Sequence, residues 1–121
     1  MKILVVDDIP LMRHVLIDML RTLQYEDVVE ATDGIQAFTL LTQQRFDLVI
    51  TDLYMPKMDG KILLNRIRDD KTFAQLPVLI ITCEESRAAL TTLIAAKASG
   101  IIIKPFSLKV LAEHLKKLTV N

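Results

Sequence analysis

Five short runs of apolar and β-branched residues, each followed by a segment of helical periodicity, constrain this 121-residue chain more than anything else in it. Ile3 to Val6 is the first run, and the others lie at 27–31, 48–51, 77–82 and 101–103. Runs of this length and composition read as buried strands. After the first run, Pro10 suits the first turn of a helix, and Met12, Val15, Leu16, Met19, Leu20 and Leu23 recur at three- and four-residue steps. Thr32-Asp33-Gly34 turns into a second helix that buries Ala37, Phe38 and Leu41. A third helix is expected over about 60–68, with Ile62, Leu63 and Ile67 apolar, and a fourth over 85–98, with Leu90, Leu93 and Ile94 as its stripe. Ser107 reads as the N-cap of a last helix carrying Leu108, Leu111, Ala112, Leu115 and Leu118. Strand and helix alternate five times through short connections, which implies an α/β fold: a doubly wound parallel sheet covered by helices on both faces. Right-handed crossovers leave only a few topologies.

The length suits a single domain, 1–121, with one core. Hydrophobic residues make up 51% and charged residues 25%, a globular balance rather than a disordered one. Lys plus Arg equals Asp plus Glu at 15 each, so no basic excess points to nucleic acid or an anionic membrane. The opening apolar stretch is too short for a signal peptide or a membrane span, and a cytoplasmic, soluble protein is expected. A single cysteine, Cys83, excludes an internal disulfide, and no Cys/His cluster has zinc spacing.

Parallel strands bring their carboxyl ends to one edge, where open α/β sheets place their ligands. The first run ends in Asp7-Asp8, the third in Asp52, the fourth in Thr82 and the fifth in Lys104-Pro105. Three acids, a hydroxyl and an amine thus converge. Crowded carboxylates raise one another's pKa or recruit a cation. Mg²⁺ fits best, because it takes few carboxylates, keeps waters and accepts a phosphoryl oxygen. Lys104 supplies a compact positive charge and Thr82 one hydrogen bond to an anion. Such a site suits a phosphoryl group carried on a carboxylate. Taken singly the residues are bland: Asp52 could cap a loop, Asp7-Asp8 could be a charge pair at a helix start, and Thr82 and Lys104 could be surface groups. Their joint convergence favours function.

The same residues carry a resemblance. Asp7-Asp8, Asp52-x-x-Met55-Pro56-x-Met58-Asp59-Gly60, Thr82 and Lys104-Pro105-Phe106 resemble the receiver domain of two-component response regulators, over nearly the whole chain. The free-standing, CheY-like chemotaxis type is nearest, with Leu76-Pro77-Val78-Leu79 and Ala98-Ser99-Gly100 adding to the likeness. The resemblance implies a flavodoxin-like (βα)5 fold with strand order 2-1-3-4-5. It implies that Asp52 accepts a phosphoryl group from a sensor histidine kinase. Asp7, Asp8, Asp52 and the backbone carbonyl of Tyr54 would hold Mg²⁺, Lys104 would pair with the phosphoryl group, and Thr82 would bond it after a shift. A cis peptide is expected at Lys104-Pro105.

One departure stands out. Where the family usually has Tyr or Phe, three residues before the lysine, this chain has Ile101. A branched aliphatic has no ring to swing and no hydroxyl to bond, which puts the usual coupling to Thr82 in doubt. Output is expected from the face formed by the fourth helix, the fifth strand and the last helix, with Ile101, Ile103, Leu90 and Phe106 forming an apolar patch for a downstream protein. Cys83 reads as a small buried thiol, His14 and His114 as surface histidines, and the methionines at helical spacing as core, with Met55 and Met58 in the active loop excepted.

With no output domain expected after residue 121, signalling by phosphorylation-dependent protein binding is the leading reading, and a receiver cut from a longer regulator the alternative. An aspartyl-phosphate phosphatase or mutase would also use the acid, hydroxyl and lysine. Such enzymes generally carry a second acid two residues after the nucleophile, where this chain has Tyr54. The expectation is therefore no enzyme beyond intrinsic phosphorylation and autodephosphorylation of the aspartate.

Overall fold

The computed structural model describes residues 1–83 and 85–119, with side chains through 118. Five strands and five helices alternate along it: β1 (Ile3–Val6), α1 (Pro10–Thr22), β2 (Val28–Ala31), α2 (Gly34–Gln43), β3 (Leu48–Asp52), α3 (Gly60–Asp69), β4 (Val78–Thr82), α4 (Arg87–Ala95), β5 (Gly100–Ile103) and α5 (Leu108–Thr119). All strand pairs are parallel and the order is β2-β1-β3-β4-β5, as expected.

Apart from β2, where Glu30 is exposed, the strands lack a polar face because both faces are covered. Side chains alternate across a strand. Leu4, Val6, Val49, Val78 and Ile80 pack with Ala37, Leu41, Leu63, Leu64, Ile67 and Leu93 of α2, α3 and α4. Ile3, Val5, Leu48, Ile50, Leu79 and Ile81 pack on the other side with Leu16, Ile17, Leu20, Leu111 and Leu115 of α1 and α5. Each Val, Leu or Ile among these contributes about 1.5–3 kcal/mol when fully buried. Asp33, Asp59 and Ser86 cap α2, α3 and α4 by accepting from the N–H of Gln36, Ile62 and Ala89. Ser107 accepts from Val110 N at 3.1 Å, as its reading as an N-cap requires.

Several expectations need correction. The fourth helix is shorter than 85–98, since Ser86 starts it and it ends at Ala95. Ile94 leaves its stripe and is 66% exposed. In α3 the buried residues are Leu63, Leu64 and Ile67, while Ile62 faces water. Met58 lies in the β3–α3 loop yet belongs to the core, beneath the backbone of Gly34. Cys83, one residue past β4 and beyond the cover of the helices, is exposed rather than buried. His14 is exposed as expected, but His114 is partly buried: its ring packs near Gly100 of β5, with Nδ1 3.0 Å from the Val110 carbonyl.

Candidate phosphoacceptor and metal site

The carboxyl edge of the sheet carries the site. β1 runs straight into Asp7 and Asp8, and neighbouring β3 ends on Asp52. One carboxylate oxygen from each of the three lies within 4.8 Å of the others. Asp7 is buried and its Oδ1 accepts from Ile9 N at 2.9 Å, which closes the turn into α1. Asp52 Oδ1 accepts from Leu53 N at 2.9 Å and stands 3.4 Å from Lys104 Nζ.

Parallel register explains how Lys104 arrives there. Asp52 pairs with Ile81 on β4, Thr82 pairs with Ile103 on β5, and Lys104 N donates to the Thr82 carbonyl at 2.8 Å. The lysine therefore leaves the sheet level with the end of β4. Thr82 is fully buried. The Lys104-Pro105 peptide is cis, as expected.

The Asp52 side chain is only 12% exposed, and this sets its chemistry. Burial pushes its pKa up, the Lys104 charge opposes that, and the Asp7 charge raises it further; the Leu53 N–H and the Lys104 hydrogen bond also lower it. The net direction is upward, so one ammonium does not fully compensate burial and a neighbouring acid. Three hard oxygen ligands with an excess of negative charge fit a divalent cation such as Mg²⁺.

Other residues hold this edge in place, and two of them, Arg13 and Thr51, were not singled out from the sequence. Arg13, in the first turns of α1, donates to the Asp7 carbonyl at 2.7 Å and pairs with Glu30 at 2.9 Å, tying the backbone of the acid pair to α1 and β2. An arginine one helical turn beyond two acids was the available signal. Thr51, fully buried, donates to the Asp52 carbonyl at 2.9 Å. Gly60 packs its Cα against that same carbonyl, and its N–H donates to Leu53 O at 2.8 Å.

The residues assigned to one output patch divide between the two faces of the sheet. Ile101 packs against the core on the α2–α3–α4 side. Phe106 packs on the opposite side, with α1 and α5, so it does not extend the patch around Ile101. Leu90 and Ile103 are partly buried. Tyr54 is 56% exposed, with its ring in the loop beyond β3.

Comparison with known proteins adds the family. A family model described as response regulator receiver domain matches residues 3–116. The chain belongs to the receiver-domain family of response regulators. It is 42% identical to the chemotaxis protein CheY-3 of Vibrio cholerae over 118 residues, covering 98% of this chain and 91% of that one. It is 39% identical to chemotaxis protein CheY of Pseudomonas aeruginosa, covering 98% and 95%. Among solved structures, CheY4 of V. cholerae superposes with a TM-score of 0.88 at 32% identity, covering 97% of each chain. The receiver domain of a P. aeruginosa sensor histidine kinase, with a magnesium ion coordinated in its active-site cleft, gives 0.87 at 29%, covering 97% and 95%. No helix among the described residues of the present receiver is long and apolar enough to cross a membrane.

Proposed function

We propose that this receiver is a phosphorylation-controlled switch. Asp52 takes a phosphoryl group from the phosphohistidine of a sensor histidine kinase and signals by binding a downstream protein. The observation that carries this reading is the pairing of Asp52 with Lys104 at 3.4 Å, beside Asp7 and Asp8, at the carboxyl edge of the sheet.

In this reading an Asp52 oxygen attacks phosphorus while the bond to the donor nitrogen breaks, and Lys104 shifts its hydrogen bond from the carboxylate to a phosphoryl oxygen. Asp7, Asp8, Asp52 and the Tyr54 carbonyl would hold Mg²⁺, which neutralises charge on the phosphoryl oxygens when bound. The excess of acid over base around Asp52 supports such an ion. Thr82, buried at the end of β4, would turn its hydroxyl toward the phosphoryl group. Phosphorylation-driven repacking would then involve Ile101 and the β4–α4 loop rather than an aromatic ring. Ile101 has few χ1 options, so the shift is small, and a partner that prefers the repacked form completes the switch. The output surface is the α4–β5–α5 face without Phe106, in a cytoplasmic protein that neither binds nucleic acid nor catalyses turnover of a metabolite.

The test is uptake of one phosphoryl group from acetyl phosphate with Mg²⁺, followed by intact mass. Wild type gains the group and Asp52→Asn does not. Equal uptake by the variant refutes the assignment.

A further inference from the structure

A cleft of about 440 Å³ opens beside Asp52, between α1 and the segment following β5. That volume lies in the range of small-molecule sites, about 300–1,000 Å³. Its polar groups gather at one end, where Asp7, Asp52 and Lys104 lie, and its other walls are apolar, with Met12, Val15 and Met19 of α1 facing Phe106. Along β3, Leu48 and Ile50 project to the α1–α5 side, and Asp52 has the same parity. Ile50 and Asp52 both line the cleft. The acid therefore meets the cleft at its polar end.

A molecule that presents a phosphoryl group to Asp52 and Lys104 thus finds apolar walls next to its remaining part. In-line displacement sets the leaving oxygen on the far side of phosphorus from Asp52, and the apolar walls of the cleft lie beside that acid. We propose that this cleft receives the apolar acyl group of a small-molecule acyl phosphate, and so makes the receiver selective among direct phosphoryl donors. The proposal rests on Asp52 being the phosphoacceptor. The reaction balances without a further reagent. An Asp52 carboxylate oxygen forms a bond to phosphorus, the bond from phosphorus to the acyl oxygen breaks, and the electron pair leaves on the free carboxylate. The dianionic phosphoryl group meets Lys104, while the acyl body displaces water from Met12, Val15 and Phe106.

The experiment compares benzoyl phosphate with acetyl phosphate on the full chain with Mg²⁺, reading the donor concentration that gives half-maximal phosphorylation by intact mass. Discrimination by an apolar pocket is on the order of tenfold or more, so benzoyl phosphate half-saturates at about a tenfold lower concentration. Val15→Phe, at a half-exposed position on the cleft wall, narrows the cleft. It removes the preference, so the two donors half-saturate at similar concentrations. Beryllofluoride binding, followed by NMR, checks that the variant keeps its fold and its acidic site. Equal half-saturation by the two donors in wild type, with acetyl phosphate still reacting, overturns the cleft assignment alone. So does a preference that survives Val15→Phe. Failure of both donors to modify Asp52 overturns the phosphoacceptor reading and this proposal with it.

Discussion

Gly60→Ala is a sharp test of how the fold holds the phosphoacceptor, because two opposite effects can be weighed. Gly60 opens α3, and replacing a helical glycine by alanine ordinarily gains about 0.5–1 kcal/mol. Here the added Cβ would collide with the carbonyl oxygen of Asp52, and would lie 3.0 Å from Leu53 Cα and 3.2 Å from the Asp52 carbonyl carbon. All three are backbone atoms, so no side chain can rotate away. Overpacking of this kind costs about 1–3 kcal/mol, and an immobile neighbour puts the cost at the upper end. The clash wins, with a net loss of about 2 kcal/mol. At about 4 °C per kcal/mol for a domain of this size, Tm falls by about 8 °C. Gly100→Ala is the control, since its Cβ would meet only Leu79 Cδ1 at 2.9 Å and His114 Cδ2 at 3.2 Å, both side-chain atoms. Those can shift, and the change stays within about 1 kcal/mol. The carbonyl displaced by Gly60→Ala belongs to Asp52 and is already held by Thr51, so phosphoryl uptake falls with stability in that variant only. Thermal melts and phosphorylation rates of both variants decide the matter. A Gly60→Ala protein as stable as wild type, or less damaged than Gly100→Ala, refutes the reasoning.

Further outcomes are expected. Asp8→Ala weakens Mg²⁺ binding by more than tenfold in calorimetric titration while Tm changes little; unchanged affinity removes Asp8 from the metal site. Asp52→Asn melts higher than wild type at neutral pH without Mg²⁺. The folded pKa of Asp52 is raised above 3.8, so the native state holds its proton more tightly and stability falls as pH rises from that unfolded value through the raised one. The advantage of the variant should vanish below the unfolded value and shrink with Mg²⁺, and a gap independent of pH contradicts the sign. Ile101→Tyr restores a ring and a hydroxyl on β5 and should enlarge the beryllofluoride-dependent NMR shifts of α4 and β5; identical shift patterns exclude position 101 as the control point.

The architecture was legible because β1, β3 and β4 are covered on both faces and so read as nearly unbroken apolar runs, and because four runs end on Asp7-Asp8, Asp52, Thr82 and Lys104. Parallel pairing alone then assembles the site. What sequence could not give lies where sheet geometry stops. Cys83 and Phe106 follow the last residues of β4 and β5, and beyond a strand end alternation no longer assigns a face or a degree of cover. Phe106 consequently packs with α1 and α5 instead of beside Ile101. Ile94 and Ile62 fit a helical stripe by spacing, but α4 is only nine residues long, and in α3 the buried positions are Leu63, Leu64 and Ile67. Thr51 acts through the backbone carbonyl of Asp52, which carries no residue-specific signal.

The central claim, that Asp52 carries the phosphoryl group, is tested most directly by trapping it. Borohydride reduces an acyl phosphate to the alcohol, converting a phosphorylated aspartate to homoserine at its own position. After exposure to phosphodonor and Mg²⁺, reduction and proteolysis, tandem mass spectrometry should find homoserine at position 52. Homoserine at Asp7 or Asp8 instead, or at no acid in a protein that has gained a phosphoryl group, contradicts the account.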